Sequence, residues 1–194
     1  MFWVVSIGLA LVLLFLVFAY NRLVRLRNET QNAWHQIDVQ LKRRHDLVPN
    51  LVSAVKGAMD FERGTLDAVI GARNRAASVA GATGPRNVAA TAHAEQELSG
   101  ALGRFLALVE AYPDLKATAN VSQLQEELSS TENKIGFARQ LYNDVATQYN
   151  VAQEQFPTNL MAGLAAARRA ELWEVADDAE RAVPRVDISP PSRA

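Results

Sequence analysis

The sequence predicts an all-α protein: an N-terminal transmembrane helix that continues into an antiparallel bundle of three to four long helices. Residues 2–20 form one apolar run without a charge. After it, apolar residues recur at steps of three, four and seven, the spacing of one helix face. No run alternates apolar and polar residues between hairpin turn signals, so no strand is expected.

The first element is FWVVSIGLALVLLFLVFAY, residues 2–20. At about 1.5 Å per residue it reaches roughly 29 Å, against a hydrocarbon core of about 30 Å. Trp3 and Tyr20 stand near its ends, where amphipathic rings favour the interface. A cleaved signal peptide is the competing reading, with Val17-Phe18-Ala19 as the cleavage triplet. It needs a positive n-region and a shorter apolar stretch; no Lys or Arg precedes the run, and Tyr20-Asn21 continues the helix. An uncleaved anchor is therefore expected. Arg22, Arg25 and Arg27 follow the span immediately. By the positive-inside rule the N-terminus lies outside and the bundle in the cytoplasm, as a single pass of the plasma (inner) membrane. The same arginines are candidate contacts to anionic headgroups, at about 1 kcal/mol each. The alternative is a solvated helix face.

Beyond the anchor, roughly 170 residues suit one domain. The expected division is a span at 2–20, a bundle at 21–163, and a tail at 164–194 made of a short helix and then disordered chain. Hydrophobic residues form 49 % of the chain, enough for a core as well as a span. The net charge of −1 gives no basic excess, which argues against a nucleic-acid partner. The absence of Cys excludes disulfides, thiolate catalysis and cysteine zinc sites.

The first bundle stripe comprises Leu23, Leu26, Ala33, Trp34, Ile37, Leu41, Val48, Val52, Val55 and Met59. It keeps phase through Pro49. A proline there removes one hydrogen bond and crowds the carbonyl of His45, so a kink near 45–49 is expected. The rival reading is a restart, with Asp46 as N-cap. Weaker periodicity through Leu66, Val69, Ile70, Ala72 and Ala76 extends the helix from residue 2 to about 78. Gly57, Gly64 and Gly71, seven apart, fall on one side and suit close helix approach. Ser78 to Pro85 (SVAGATGP) reads as the clearest break.

A second helix is expected from Pro85, with Val88, Ala92, Leu98, Leu102, Phe105, Val109 and Tyr112 on its apolar face, ended by Tyr112-Pro113-Asp114. A third runs from Val121 to Gln155, with Leu124, Leu128, Ile135, Ala138, Leu141, Tyr142, Val145, Tyr149 and Ala152 on one face. Phe156-Pro157 closes it. Residues 158–169 suggest one short helix more, and Pro184, Pro190 and Pro191 make the end irregular.

Several segments together resemble the LemA family. They are Tyr20-Asn21 with LVRLRN, the stretch AWHQIDVQLKRRHDLVPNL over 33–51, and VKG at 55–57. YPDLKA at 112–117, TENKI at 131–135, Tyr142-Asn143, Tyr149-Asn150, Phe156-Pro157 and NLMAG at 159–163 continue the pattern. The likeness covers residues 20–163. Two features depart from it: Phe61 precedes Glu62 where the family often has His, and AAARRAELW stands where an aromatic Gly-Phe segment is usual. Trp173 is the candidate substitute. The resemblance implies a single-span protein with a cytoplasmic helical bundle, and no enzyme activity.

The residues give little chemistry. His35, His45 and His93 lack an acid three residues before them, and no two stand four apart, so di-iron and zinc-helix patterns are missing. His93 with Glu95 and Glu97 comes nearest to a metal cluster, but neighbours two apart on a helix diverge by about 200°. Gly81 and Gly84 lack the spacing and Lys of a phosphate loop. No Gly-x-Ser-x-Gly elbow occurs. No catalytic residue, cofactor or metal is assigned.

Lys42-Arg43-Arg44-His45, between Asp38 and Asp46, either grips an acidic partner or a phosphate or forms a solvated face pairing with nearby acids. Asp38 and Lys42 have the favourable four-residue spacing. Asn143 and Asn150, seven apart beside Tyr142 and Tyr149, either fix helix register from inside or line a polar groove for a peptide. The expected function is a membrane-anchored scaffold or adaptor without catalytic activity, with coiled-coil-like packing. Its partners would be the bilayer, further copies of itself as a homo-oligomer, and an unidentified protein. The alternative is a metal-dependent or other hydrolase.

Overall fold

A computed structural model describes residues 2–57, 59, 62–83, 87–116 and 118–174. Four long helices carry the fold: α1 (Phe2–Val55), α2 (Arg63–Thr83), α3 (Val88–Glu110) and α5 (Ala119–Glu154). Two single turns, α4 (Pro113–Lys116) and α6 (Asn159–Ala162), sit in the connections. Among the described residues there is no strand.

α1 is one helix of 54 residues with Pro49 inside it. At about 1.5 Å per residue it is roughly 80 Å long. It does not reach residue 78 as its periodicity suggests. It stops at Val55, a turn follows at Lys56-Gly57, and α2 folds back along it. α2 in turn runs to Thr83, so Ser78–Thr83 is helical and not the break expected there. The Ala-rich composition outweighs Gly81, because Ala is the strongest helix former. The remainder of that break, with the Pro85 start, lies outside the described residues. The heptad glycines mediate no close approach. A methyl group at Gly57 or Gly64 would meet nothing within 4 Å, and one at Gly71 would meet only the Arg75 guanidinium at 3.5 Å.

The long helices alternate in direction. Leu23 packs with Tyr149 and Ala152, Trp34 with Tyr142, and Arg43 reaches Glu127, so α5 descends antiparallel to α1. Arg75 meets Glu97 across the antiparallel α2–α3 pair. α3 begins where the sequence places it, with Asn87 as N-cap: its Oδ1 accepts the Ala90 N–H at 3.1 Å, serving one orphan donor of the first turn.

The core lies in three layers. Farthest from the apolar run, Val48, Leu51 and Val55 of α1 meet Val69, Leu98, Phe105, Val109 and Leu128. In the middle Trp34, Ile37 and Leu41 meet Val88, Ile135, Tyr142 and Trp173. At the base Leu23 packs on Tyr149 and Ala152. Burying each large side chain contributes about 1.5–3 kcal/mol. Leu141, placed on the inner stripe by sequence, is 42 % exposed, and it neighbours the exposed Phe137 and Val39.

Two further features depart from expectation. The short helix at 158–169 is only the turn Asn159–Ala162. The helix expected at the start of the tail is absent from 164–174. Residues 167–174 form neither helix nor strand and lie against the bundle, while 175–194, where loose chain is expected, fall outside the described residues. At the other end the side chains of residues 2–18 are exposed, apart from the half-buried Leu16.

Candidate functional site: a strapped groove between α3 and α5

α3 and α5 barely touch each other. Between them α1 sends up two polar side chains. Arg44 Nη1 lies 3.4 Å from Glu95 Oε2 and 3.2 Å from Glu132 Oε2. Its Nη2 donates to Ser99 Oγ at 2.6 Å. His45 Nε2 is 2.6 Å from Glu95 Oε1. Arg44 is 2 %, Glu95 4 % and His45 5 % exposed, so this is a buried ionic cluster joining three helices. The solvated face expected at 42–45 is therefore only half present. Lys42 and Arg43 point outward, and Arg43 makes a loose 3.8 Å contact to Glu127. Asp38 and Lys42, despite their spacing, form no ion pair; both are exposed.

The gap between α3 and α5 holds two adjoining cavities. One, of 460 Å³, lies between Glu95, Gln96 and Ser99 on one side and Ile135 and Arg139 on the other. The next, of 370 Å³, continues past Leu102 and Leu106 towards Gln125 and Leu128. Arg44 borders both, and its Nε is buried without a hydrogen-bond partner.

The mouth of this groove is closed by residues 170–173. Asn150 Nδ2 donates to the Ala170 carbonyl at 2.9 Å, and its Oδ1 accepts the Ala170 N–H at 2.8 Å. Asn143 does the same for Trp173, at 2.9 and 2.8 Å. Each carboxamide thus reads both polar atoms of one backbone residue, as one donor and one acceptor allow. The periods match: seven helical residues rise about 10.5 Å, and three extended residues span about 10–11 Å. The segment runs antiparallel to α5.

Side chains complete the closure. Trp173 is buried with its ring centroid 6.0 Å from that of Trp34, and the Arg139 guanidinium lies 5.6 Å from the Trp173 ring. Glu171 Oε2 accepts the Val88 N–H at 2.8 Å, placing a carboxylate at the positive end of α3. Tyr142 Oη donates to the Glu171 carbonyl at 2.7 Å. Burial first, and the Glu171 charge second, push the Tyr142 phenol up to about 12.

Of the residues singled out from sequence, Asn143 and Asn150 meet at this site and Arg44 forms its floor. Arg22, Arg25 and Arg27 stay exposed near the base of the bundle; Arg27 borders a recess with Tyr20, Asn28 and Tyr149. Sequence reasoning missed Glu95, Tyr142 Oη, Glu171 and the depth of Trp173. His93 is exposed and 3.6 Å from Glu97, while Glu95 turns inward to Arg44. Among the described residues no three His, Asp or Glu side chains are grouped to hold a metal.

Amide pairs on backbone, an aromatic shelf and a helix terminus are groups that hold an extended chain. Fold and groove together define a class: four-helix bundles built on one long helix whose first turns are apolar and exposed. Within that class the chain belongs to the LemA family, whose model matches residues 33–188. It is similar to Protein LemA of Metamycoplasma hominis, 29 % identical over 170 residues, covering 87 % of this chain and 72 % of that protein. It is also similar to Magnetosome protein MamQ 2 of Paramagnetospirillum magneticum, 26 % identical over 82 % of this chain. Magnetosome protein MamQ of Magnetospirillum gryphiswaldense is 25 % identical over 81 %. The chain spans 66 % and 65 % of the length of these two magnetosome proteins.

Proposed function

We propose that this protein is a membrane-anchored, non-catalytic helical adaptor that self-associates at the membrane. The observation that carries the reading is the continuity of α1. One helix holds both the exposed apolar run and a wall of the bundle core, from Leu23 to Val55. Leaving that run in water forgoes stabilisation on the order of 20 kcal/mol. It is the one helix among the described residues long and apolar enough to cross a membrane. Placed in a bilayer, it mounts the bundle on a stiff post, and Arg22, Arg25 and Arg27 fall at the headgroups. Their side becomes the cytoplasmic one.

Self-association is supported by the α1–α5 flank opposite the strap. Val39, Phe137 and Leu141 are 61 %, 73 % and 42 % exposed around a recess of 480 Å³. Because the anchor and this flank share α1, two copies in one membrane present it at the same height. That geometry suits a two-fold contact about the membrane normal.

The chain has no Cys, so single cysteines report topology without background. In intact cells Phe2→Cys should react with an impermeant maleimide, and Ser53→Cys only after lysis. The reverse pattern overturns the orientation, and recovery of the chain in the soluble fraction overturns the anchor. Photobleaching steps in native membranes should show more than one copy per spot. A uniform single step ends the self-association reading.

A further inference from the structure

We propose that residues 156–167, which connect α5 to the strap, are a second membrane contact. They rest in the leaflet on the bundle's side of the bilayer, with Phe156, Leu160 and Leu164 among its acyl chains. The inference rests on the anchored reading of the N-terminal run and makes the lipid surface a partner of the bundle itself.

Height carries it. α5 descends along α1, and Tyr149 packs on Leu23. α5 ends five residues later at Glu154, about 7.5 Å farther towards the N-terminus of α1. Its end is therefore level with the last turn of the apolar run, and the connection starts there. The turn α6 packs on α1, and Met161 and Ala162 join the cluster around Leu23. Within residues 2–20 only Leu16 and Ala19 are withdrawn from solvent. They precede Leu23 by seven and four residues, on the same helix face. A bilayer that takes up the whole run thus reaches the connection.

The residues suit that position. Residues 156–167 contain no charged side chain, and Arg168 and Arg169 follow directly. Met161, Ala162 and Ala167 pack on the bundle, whereas Phe156, Leu160 and Leu164 are 79 %, 57 % and 75 % exposed. A connection in water turns polar groups outward; large apolar side chains gathered on a surface mark a contact. Here the patch continues the exposed run, so one lipid phase covers both. The turns also bond internally. Asn159 N–H donates to the Gln155 carbonyl at 2.9 Å, Met161 to Thr158 at 3.0 Å, and Ala165 to Met161 at 2.9 Å. Ala167 N–H donates to the Ala162 carbonyl at 2.9 Å. These donors need no water in a medium that offers them no partner. Glu154 is paired with Arg169 at 3.2 Å, and the exposed Arg168 joins Arg22 and Arg25 near the height of the lipid phosphates. Past Ala167 the chain climbs away from the patch, meeting Asn150 and then Asn143.

The test uses the full chain in liposomes of phosphatidylcholine and phosphatidylglycerol. Leu160→Cys and Leu164→Cys each take one environment-sensitive dye, with Val12→Cys in the run and Ser53→Cys at the far end of the bundle as references. All four positions are exposed, so labelling leaves the core untouched. The dyes replacing Leu160 and Leu164 should emit to the blue of the Ser53 dye. They should lose most of their emission to lipids carrying a spin label high on the acyl chain, and less to a label at the chain end. The Val12 dye should prefer the deeper label, and the Ser53 dye should ignore both.

A quenched Val12 dye with water-like emission at Leu160 and Leu164 overturns the proposal and leaves the anchor standing. A Val12 dye untouched by either label overturns the anchor and this proposal with it. Blue-shifted emission at Leu160 and Leu164 without lipid quenching means that protein covers the connection, either a second copy or residues 175–194, and likewise overturns it. Should a labelled chain fail to fold, the wild type decides. A phospholipid with a diazirine on its acyl chain should then form adducts within residues 156–164 as well as 2–18, and adducts confined to 2–18 overturn the proposal.

Discussion

Arg73 Nε donates to the backbone carbonyl of His45 at 2.8 Å. This is the carbonyl that Pro49, lacking an N–H, leaves without its helical partner. α2 thus repairs the one gap in α1, which explains how a 54-residue helix passes a proline. A hydrogen bond from a charged donor contributes about 1.5–3 kcal/mol. Arg73→Ala should lower unfolding stability by that amount. In a Pro49→Ala background the helix regains its own bond, and the same substitution should cost about 1 kcal/mol or less. Urea unfolding followed by circular dichroism measures all four chains of the cycle. Equal losses in both backgrounds would show that Arg73 acts elsewhere.

The cluster beneath the groove makes a second prediction. Glu95 is the shared partner of Arg44 and His45, and all three are buried. Glu95→Ala leaves a buried guanidinium with the Ser99 hydroxyl and, as counter-charge, only the half-exposed Glu132. The expected loss is about 3–5 kcal/mol. Replacing the pair together, Arg44→Met with Glu95→Leu, should recover most of that loss, because two desolvation penalties vanish with the attraction, and should leave about 1–3 kcal/mol for His45 Nε2, which is buried without its 2.6 Å partner. A double substitution as damaging as the single one would contradict this account.

These residues also show what the sequence could and could not reveal. α3 and α5 are legible to within a few residues, because Val88 to Val109 and Val121 to Ala152 keep helical phase and end at proline turns. Arg44 and His45 carried a signal that their charge hid. They stand three and four residues after Leu41 and before Val48, on the buried stripe itself. The first helix was read too long because the turn at Lys56-Gly57 occupies a position where the apolar phase happens to resume. The strap was illegible from its own residues: ARRAELWE has neither a 3.6- nor a 2-residue period. Only its counterpart, the asparagine pair seven apart, pointed to it, and left register and peptide groove undecided.

The asparagine pairs hold the strap and little else. Asn143→Ala and Asn150→Ala each remove two hydrogen bonds to it, at about 1–3 kcal/mol. In native-state hydrogen exchange the Ala170 and Trp173 amides should lose protection, while those of Ile37 and Ile135 keep it. Simultaneous loss in both sets would mean that the strap is not a separable unit.

For self-association the discriminating substitution is Phe137→Asp. Phe137 is 73 % exposed, so the change should leave the unfolding midpoint almost unmoved. A charge at the centre of a two-fold contact meets its own copy across the axis. Copies per spot in native membranes should therefore fall to one. Unchanged copy number would move the contact to another face.

Tyr142 supplies a pH signature. Its phenol sits at about 12 in the folded chain against an ordinary value of 10.0. Below the ordinary value both folded and unfolded phenols hold their proton, and the group adds no pH dependence. Between the two values only the unfolded chain releases it, so stability falls as pH rises through this window. The whole loss is about 2–3 kcal/mol, since one unit corresponds to about 1.4 kcal/mol. Tyr142→Phe removes that slope but also the bond to the Glu171 carbonyl, worth about 1 kcal/mol. The variant should be less stable than wild type near neutrality and more stable at the top of the alkaline window. Denaturant unfolding of both chains across that range should give curves that cross. Parallel curves would mean that some other group produces the alkaline loss.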